Sequence, residues 1–194
     1  MKLEKLLQQG RTIRVIGFDD APFVRRHRGS VAISGIVCAG TRFEGMVWGQ
    51  VRQDGWNSTD KICQLLENSK FLSQLHLVLL DGIAFGGFNI VDLPKLSQTL
   101  NLPCVTVMRR MPNLTKIEKA IAHLSHPQRR LQLLAKAGEI HAYPPFYFQV
   151  YGEKPDAIAQ VLPKLTDTGK VPEALRLSHL IGAAVINGES SSSA

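Results

Sequence analysis

The chain has 194 residues, of which 44% are hydrophobic and 20% are charged. This balance is typical of a folded globular protein and excludes an intrinsically disordered chain. The length predicts one domain, residues 1–194, whose last residues, 189–194, form a flexible tail. The formal net charge of +7 is compatible with a polyanionic partner such as nucleic acid but does not by itself require one.

The cysteines and the hydropathy pattern indicate the cell compartment in which the protein is expected to function. Cys38, Cys63 and Cys104 lie in apolar runs without C-x-x-C spacing, so we expect buried reduced thiols and neither a disulfide framework nor a zinc site. This favours the cytoplasm. The chain has no apolar stretch of 18 residues, and residues 1–5 lack the layout of a signal peptide, so no membrane association is expected.

The first half of the chain reads as a sheet meander followed by alternating elements. After a short polar leader, strands are predicted over 12–19, 30–39 and 43–51, and the short Gly-containing connection 40–42 favours an antiparallel hairpin. A helix capped by Asn57 or Ser58 follows and ends near Ser69. A fourth strand then leads through the glycine-rich loop 82–89 to a short helix capped by Asp92 and a fifth strand over 104–108.

The second half is more helical. Helices are predicted from Asn113 or Thr115 and from Pro127 to Gly138, then a strand over 146–151 and helices over 156–165 and 173–186. Three antiparallel strands, followed by alternating helices and parallel strands, is the order of the α/β ribonuclease H-like fold. That fold has three layers, with a central mixed β-sheet flanked by helices.

Carboxylates follow two of the predicted buried strands at the point where each strand ends. The apolar run 13–18 leads to Asp19 and Asp20, and the run 77–80 leads to Asp81. Open α/β sheets keep their sites at this edge, and neighbouring strands would bring the acids close enough to share a divalent cation. Because side chains alternate across a strand, we expect Asp19 and Asp20 to do different things. Each acid taken alone could equally be a loop or helix cap.

Four segments resemble a known family and occur in that family's order over nearly the whole chain. They are similar to the endonuclease V superfamily and, more closely, to its sister family endonuclease dU. The segments are 17–23 (GFDDAPF), 54–59 (DGWNST), 81–92 (DGIAFGGFNIVD) and 172–179 (PEALRLSH). The resemblance implies an endonuclease V-like fold and hydrolysis of a phosphodiester bond in DNA near a deaminated base, deoxyuridine in the sister family.

The resemblance also implies roles for single residues. Asp19, Asp54, Asp81 and His179 match the catalytic acids and the late histidine of endonuclease V. Asp19 and Asp81 would ligate Mg²⁺ or Mn²⁺, Asp54 would do so directly or through water, and Asp20 is a further candidate. The alternative for His179 is a hydrogen-bonded packing residue on its helix.

The chain also departs from endonuclease V. Phe85 stands where that family carries a histidine, and the second acid is Asp54 in place of a glutamate. The Pro-Tyr-Ile-Pro wedge has no counterpart between Trp48 and Asp54. Base specificity therefore does not carry over from endonuclease V.

Loop and basic residues complete the candidate site, each with a structural alternative. Phe85 and Phe88 are predicted either to stack on a flipped base or to anchor the core. Arg109 and Arg110 are predicted either to bind phosphate oxygens or to be a solvated pair. Arg25, Arg26 and Arg28 are predicted either to contact the phosphate backbone of a nucleic acid or to form a solvated loop. The candidate substrate-binding residues of the loop are Gly82, Phe85, Gly86, Gly87, Phe88 and Asn89.

The sequence thus predicts a metal-dependent endonuclease that acts on DNA and, as a second candidate polymer, RNA. A non-catalytic nucleic-acid-binding protein on the same fold is the alternative, because the chain is basic and lacks the wedge. A small-molecule hydrolase on the same scaffold is a third class, which would bind no oligonucleotide.

Overall fold

The computed structural model describes residues 3–25 and 29–191. Within these ranges seven strands form a mixed sheet in the order β3-β2-β1-β4-β7-β9-β8, beside a two-stranded hairpin of β5 and β6. The strands are β1 (Arg14–Asp20), β2 (Ser30–Ala39), β3 (Arg42–Arg52), β4 (Leu77–Asp81), β5 (Ala84–Phe85), β6 (Asn89–Ile90), β7 (Cys104–Met108), β8 (His141–Tyr143) and β9 (Phe146–Tyr151).

Helices cover both faces of the sheet. They are α1 (Leu3–Gln8), α2 (Ser58–Glu67), α3 (Leu93–Leu100), α4 (Leu114–Ile121), α5 (Pro127–Lys136), α6 (Pro155–Val161) and α7 (Glu173–Asn187), with 3₁₀ turns at Leu72–Gln74 and Leu162–Leu165. One core lies between the sheet and α1, α6 and α7, and the other lies between the sheet and α2, α3 and the hairpin. The expected three layers are therefore present.

The antiparallel meander β1–β2–β3 is confirmed, and β4 and β7 run parallel to β1 as predicted. The expectation that the strands after the meander run parallel was wrong for β9, which pairs antiparallel with β7. Because β7 and β9 are antiparallel, the end of β7 and the start of β9 lie at the same edge of the sheet, and the segment between them contains α4, α5 and β8. That segment carries α4 and α5 beside the edge where β1 and β4 end.

Two predicted boundaries need correction. The polar leader is a helix, because Leu3 and Leu6 lie on one face and are buried against the sheet. The helix predicted over 156–165 is α-helical only to Val161, since Pro163 has no N–H with which to continue the ladder. Asp92 and Asn113 cap α3 and α4 as predicted, through bonds from the backbone N–H groups of Lys95 and Lys116.

The cysteines follow the prediction. Cys38, Cys63 and Cys104 are buried and unbonded to one another. Burial raises the pKa of Cys38 to about 12, so this thiol is protonated and inert at neutral pH. Among the described residues no helix combines the length and the apolar character needed to cross a bilayer.

Candidate active site

Asp19 and Asp81 meet because β1 and β4 are parallel neighbours in register. Phe18 lies opposite Leu80, so the next residue on each strand is an aspartate at the carboxyl edge of the sheet. Asp19 shares its face with Val15, and Asp81 shares its face with Leu79, both of which pack towards α7. Both carboxylates therefore point to the same side of the sheet.

Helix α7 adds His179 to this pair. The helix lies directly on β1, because a Cβ on Gly17 would be 2.7 Å from the carbonyl carbon of Ala174. The buried hydroxyl of Ser178 donates to the Ser34 carbonyl at 2.9 Å and pins the helix to β2 one residue before the histidine. These two contacts fix how far along β1 the imidazole lies.

The three side chains form one cluster. His179 Nδ1 lies 2.9 Å from Asp19 Oδ2, and one ligand atom from each of Asp19, Asp81 and His179 lies within 4.8 Å of the other two. Asp19 is 6% exposed, whereas Asp81 and His179 are half-buried. Asp81 and His179 therefore give the cluster partial access to solvent.

Burying two carboxylates close together costs electrostatic free energy. Burial raises the pKa of Asp19 to about 8, and the negative charges of Asp81 and Asp20 add to the shift, while the Asp20 N–H and Arg109 oppose it. The pKa of Asp81 is also raised by burial, although Arg109 and His179 oppose that rise. A bound cation would offset this repulsion.

The donor set fits a divalent cation. Carboxylate oxygens are the usual ligands of Mg²⁺ and Mn²⁺, and an imidazole nitrogen is accepted by Mn²⁺ more readily than by Mg²⁺. Asp19 and Asp81 would hold it, and His179 lies beside them, hydrogen-bonded to Asp19.

A cavity of about 1060 Å³ opens over the cluster. Cationic side chains of Arg109, Arg110 and Lys116 line it, and Arg109 Nη2 lies 3.6 Å from Asp81 Oδ2. Apolar surface comes from Phe23, Met111 and Ile117. Positive charge beside carboxylates suits a substrate that carries a phosphodiester.

Asp20 lies on the opposite face of β1 from Asp19, as strand alternation requires. Its Oδ2 accepts a 2.5 Å hydrogen bond from the Gly86 N–H in the glycine-rich loop. Burial raises the pKa of Asp20, while that hydrogen bond lowers it. Asp20 lines the cavity but is not part of the three-residue cluster.

The glycine-rich loop folds into the β5–β6 hairpin, and this decides between the alternatives for its residues. Phe85 is fully buried in the core between the sheet and α2, so it anchors the loop and offers no stacking face. Asn89 is also buried, because its amide binds the Ser58 N–H and the Arg52 carbonyl. The prediction that these two residues contact substrate was therefore wrong. Gly82 lines the cavity and Phe88 is half-buried.

Asp54 lies apart from the metal-binding cluster. Its carboxylate accepts a 2.7 Å hydrogen bond from the Phe88 N–H, and among residues 3–25 and 29–191 it belongs to no group of clustered metal-ligand atoms. Its backbone is in the left-handed region, with φ of 49°. Asp54 therefore contacts the glycine-rich loop.

The basic residues separate into exposed and buried ones. Arg25 is exposed, while Arg26 and Arg28 lie outside the described residues. Arg109 and Arg110 are exposed at the cavity, which agrees with both predicted roles, a phosphate-binding pair or a solvated pair. Arg130 is 1% exposed, although its helical surroundings suggest a surface residue.

Sequence reasoning missed three features of the site. Lys116 lines the cavity, and its position one turn after the Asn113 cap could have shown that α4 borders the site. Gly17, two residues before Asp19, could have indicated a close helix contact. No local signal marks the burial of Arg130, because the carbonyl oxygens of Asp54 and Phe88 that accept from it come from distant segments.

Comparison with known proteins identifies the relatives of this chain. A family model described as endonuclease dU matches residues 11–186. A UPF0215 protein of Methanothermobacter thermautotrophicus is 37% identical over 187 residues, which cover 94% of this chain and 92% of that protein.

Two solved structures are similar as well. A crystal structure of a protein of unknown function from Archaeoglobus fulgidus matches with a TM-score of 0.84 and 32% identity, covering 89% of this chain and 98% of that one. Ciona intestinalis endonuclease V, in complex with a 24mer DNA containing an inosine followed by a ribo-adenosine, matches with a TM-score of 0.60 and 14% identity. That match covers 92% of this chain and 88% of that one, and it shows the ribonuclease H-like fold. With the family model spanning most of its length, this chain belongs to the endonuclease dU family.

Proposed function

We propose that this protein is a divalent-metal-dependent endonuclease that hydrolyses a phosphodiester bond in DNA near a deaminated base, with deoxyuridine as the first candidate. The observation that carries the proposal is the cluster of Asp19, Asp81 and His179 at the floor of a cation-lined cavity. The family relationship and the endonuclease V fold support it.

The residues of the cluster have different roles in the proposed reaction. Asp19 and Asp81 would hold Mg²⁺ or Mn²⁺, which would lower the pKa of a bound water and counter charge on phosphate oxygens. His179 is oriented by Asp19, which accepts from its Nδ1 when that nitrogen carries the proton. The other ring nitrogen is then free to accept a proton from a water. Burial of Asp19 keeps this pair ordered.

Replacing His179 with Ala is expected to lower kcat by about 10²-fold, the smaller end of the range for a lost general acid or base, with little change in KM. The reason is that the imidazole contacts the reacting water and not the bulk of the substrate. Steady-state incision kinetics measure both constants. His123→Ala, a change of the same type at an exposed position, is the control and should behave like the parent. A kcat within twofold of the parent would mean that His179 is a packing residue.

DNA binding is assigned to the cationic lining of the cavity. Arg110 and Lys116 are exposed there and ligate no metal in this scheme. Endonuclease V of Ciona intestinalis was crystallised with DNA, which supports the choice of polymer. RNA is retained as an outcome of the assay below.

The double variant Arg110→Ala/Lys116→Ala should bind DNA more weakly and with a flatter salt dependence. On duplex DNA the slope of log affinity against log salt is expected to fall by about 0.9 for each phosphate group that the variant no longer binds. Fluorescence anisotropy at several salt concentrations measures the slope. Lys164→Ala/Lys170→Ala removes the same charge from two exposed lysines outside the cavity and serves as the control. Equal slopes in both double variants would place the DNA elsewhere.

The function is tested by incision of matched oligonucleotides that contain uracil, hypoxanthine, xanthine or no lesion, in DNA and in RNA, with Mg²⁺ or Mn²⁺. The proposal expects cleavage of a uracil-containing DNA strand that stops when a chelator is added. Tight, salt-sensitive binding that a chelator does not change, without product under any metal, would instead support a non-catalytic nucleic-acid-binding protein.

A further inference from the structure

Asp54 is tied to the glycine-rich loop by two hydrogen bonds that run in opposite directions. Its carboxylate Oδ1 accepts from the Phe88 N–H at 2.7 Å, and its own N–H donates to the Gly86 carbonyl at 2.9 Å. The loop backbone thus uses Asp54 as both an acceptor and a donor. A loop this rich in glycine has high conformational entropy, so such ties are needed to hold it in one conformation.

Gly87 leaves the space that the Asp54 carboxylate occupies. Its φ is +91°, and a Cβ at this position would lie 2.4 Å from Asp54 Oδ1. No side chain other than hydrogen can occupy the position while the carboxylate stays where it is. The lack of a side chain at Gly87 therefore allows the segment around Asp54 to pack against the glycine-rich loop.

Arg130 closes the same junction from the other side. Within the described residues its guanidinium donates to the carbonyl oxygens of Asp54, at 2.5 Å, and of Phe88, and its Nε donates to Ser125 at 3.2 Å. The guanidinium also lies 4.2 Å from the ring centre of Trp56. Burying a guanidinium costs free energy unless its N–H groups are hydrogen-bonded. The segments that supply the accepting carbonyl oxygens are therefore expected to be held in place around Arg130.

The ordered loop leads to the catalytic edge of the sheet. The N–H of Gly86, whose carbonyl accepts from Asp54, donates to Asp20 Oδ2 at 2.5 Å. Asp20 lies beside Asp19 and lines the cavity. A shift of the loop would therefore move the Asp20 carboxylate and the local charge around the metal-binding cluster.

We propose that Asp54 and Arg130 are positioning residues that clamp segment 86–88 against Asp20, and that Asp54 does not ligate the catalytic cation. The effect on incision rests on the proposed function, whereas the clamp itself does not. This assignment replaces the ligand role that the resemblance to endonuclease V implies for Asp54.

The test uses two variants at one position. Asp54→Asn keeps an acceptor for the Phe88 N–H and suits a positive φ, but it removes the charge a metal ligand needs. Asp54→Gly suits the same φ and removes the acceptor. Amide hydrogen exchange at Gly86 and Phe88 is measured for each by NMR. Exchange should stay at the parent rate in Asp54→Asn and rise by about tenfold in Asp54→Gly.

Mn²⁺ affinity, measured by calorimetry on the same proteins, separates the clamp from ligation. Asp54→Asn should bind Mn²⁺ like the parent, and Asp19→Asn should not. If Asp54→Asn loses Mn²⁺ affinity by more than tenfold while its loop amides stay protected, Asp54 is a ligand and the proposal is wrong. If the parent neither binds Mn²⁺ nor incises DNA, the proposed function fails, and the exchange data still decide the clamp.

Two further variants test the other parts of the clamp. Gly87→Ala should release the Gly86 and Phe88 amides, whereas Gly169→Ala, which imposes similar strain at φ +75° in open space, should not. Arg130→Lys keeps the charge but loses the fork, and it should lower kcat for incision by about tenfold to 10²-fold at constant KM. Parent-like exchange in both Gly87→Ala and Asp54→Gly would overturn the proposal.

Discussion

Asp19→Asn and Asp81→Asn should each abolish metal-dependent incision, with kcat reduced by about 10³-fold or more. An amide holds Mg²⁺ or Mn²⁺ poorly, and the cation supplies several kcal/mol of transition-state stabilisation in such sites. The effect is expected in the chemical step because both side chains lie at the floor of the cavity, where they would hold the cation. Single-turnover incision with saturating protein measures it directly.

The control for this loss is Asp60→Asn. Asp60 is exposed on α2 and pairs with Lys95, so the same chemical change there should leave the incision rate as it is in the parent. Circular dichroism shows whether each variant is folded. Full activity in folded Asp19→Asn or Asp81→Asn would contradict the assignment of the cluster as the catalytic centre.

The second large effect is on stability in the absence of metal. The pKa of Asp19 is raised to about 8 in the folded chain, above about 3.9 in an unfolded chain. Between these values the folded chain keeps a proton that the unfolded chain has released, so the stability gained from protonated Asp19 is lost as pH rises towards and through 8. The asparagine variant has no such loss. The melting temperature of Asp19→Asn should therefore exceed that of the parent by a margin that grows from pH 5 to pH 8.

The margin should reach several degrees, since each kcal/mol shifts the melting temperature by about 2–4 °C in a chain of this size. The groups facing Asp19 are Asp20, Asp81, His179 and Arg109, and they are present in both proteins. Added Mn²⁺ at pH 8 should raise the melting temperature of the parent and not that of the variant. A pH-independent difference in calorimetric scans would show that Asp19 does not carry the buried proton.

The sequence predicts the parts of this fold that depend on local patterning. β2, β7 and β9 begin and end where their apolar runs do, and the Gly-containing turn before Arg42 forms the expected hairpin. The proximity of Asp19 and Asp81 follows from two strands that each end in an acid, once the strands are neighbours. Alternation along β1 then assigns Asp19 to one face and Asp20 to the other.

The rest depends on contacts between distant segments. The direction of β9 depends on the path of α4 and α5 and on the hairpin that β9 forms with β8, a strand that was not predicted from the sequence. Phe85 is followed by two glycines and looks like a loop residue, yet its ring completes the core. Arg130 looks like a surface residue on its helix, yet the carbonyl oxygens that satisfy it come from the loops around Asp54 and Phe88. The resemblance implied that Asp54 is a metal ligand, whereas its contacts with Phe88 and Gly86 come from a segment distant in the chain.

The central claim is that this protein hydrolyses a phosphodiester bond. It is tested most directly by incising a uracil-containing DNA strand with Mn²⁺ in ¹⁸O-labelled water and weighing both products by mass spectrometry. Hydrolysis should give two fragments whose sequences join at one phosphodiester, with one ¹⁸O atom in the new phosphate end, and no product should form when Asp81 is replaced by Asn. An intact strand, or a product that has lost its base or carries an unsaturated sugar, would contradict it.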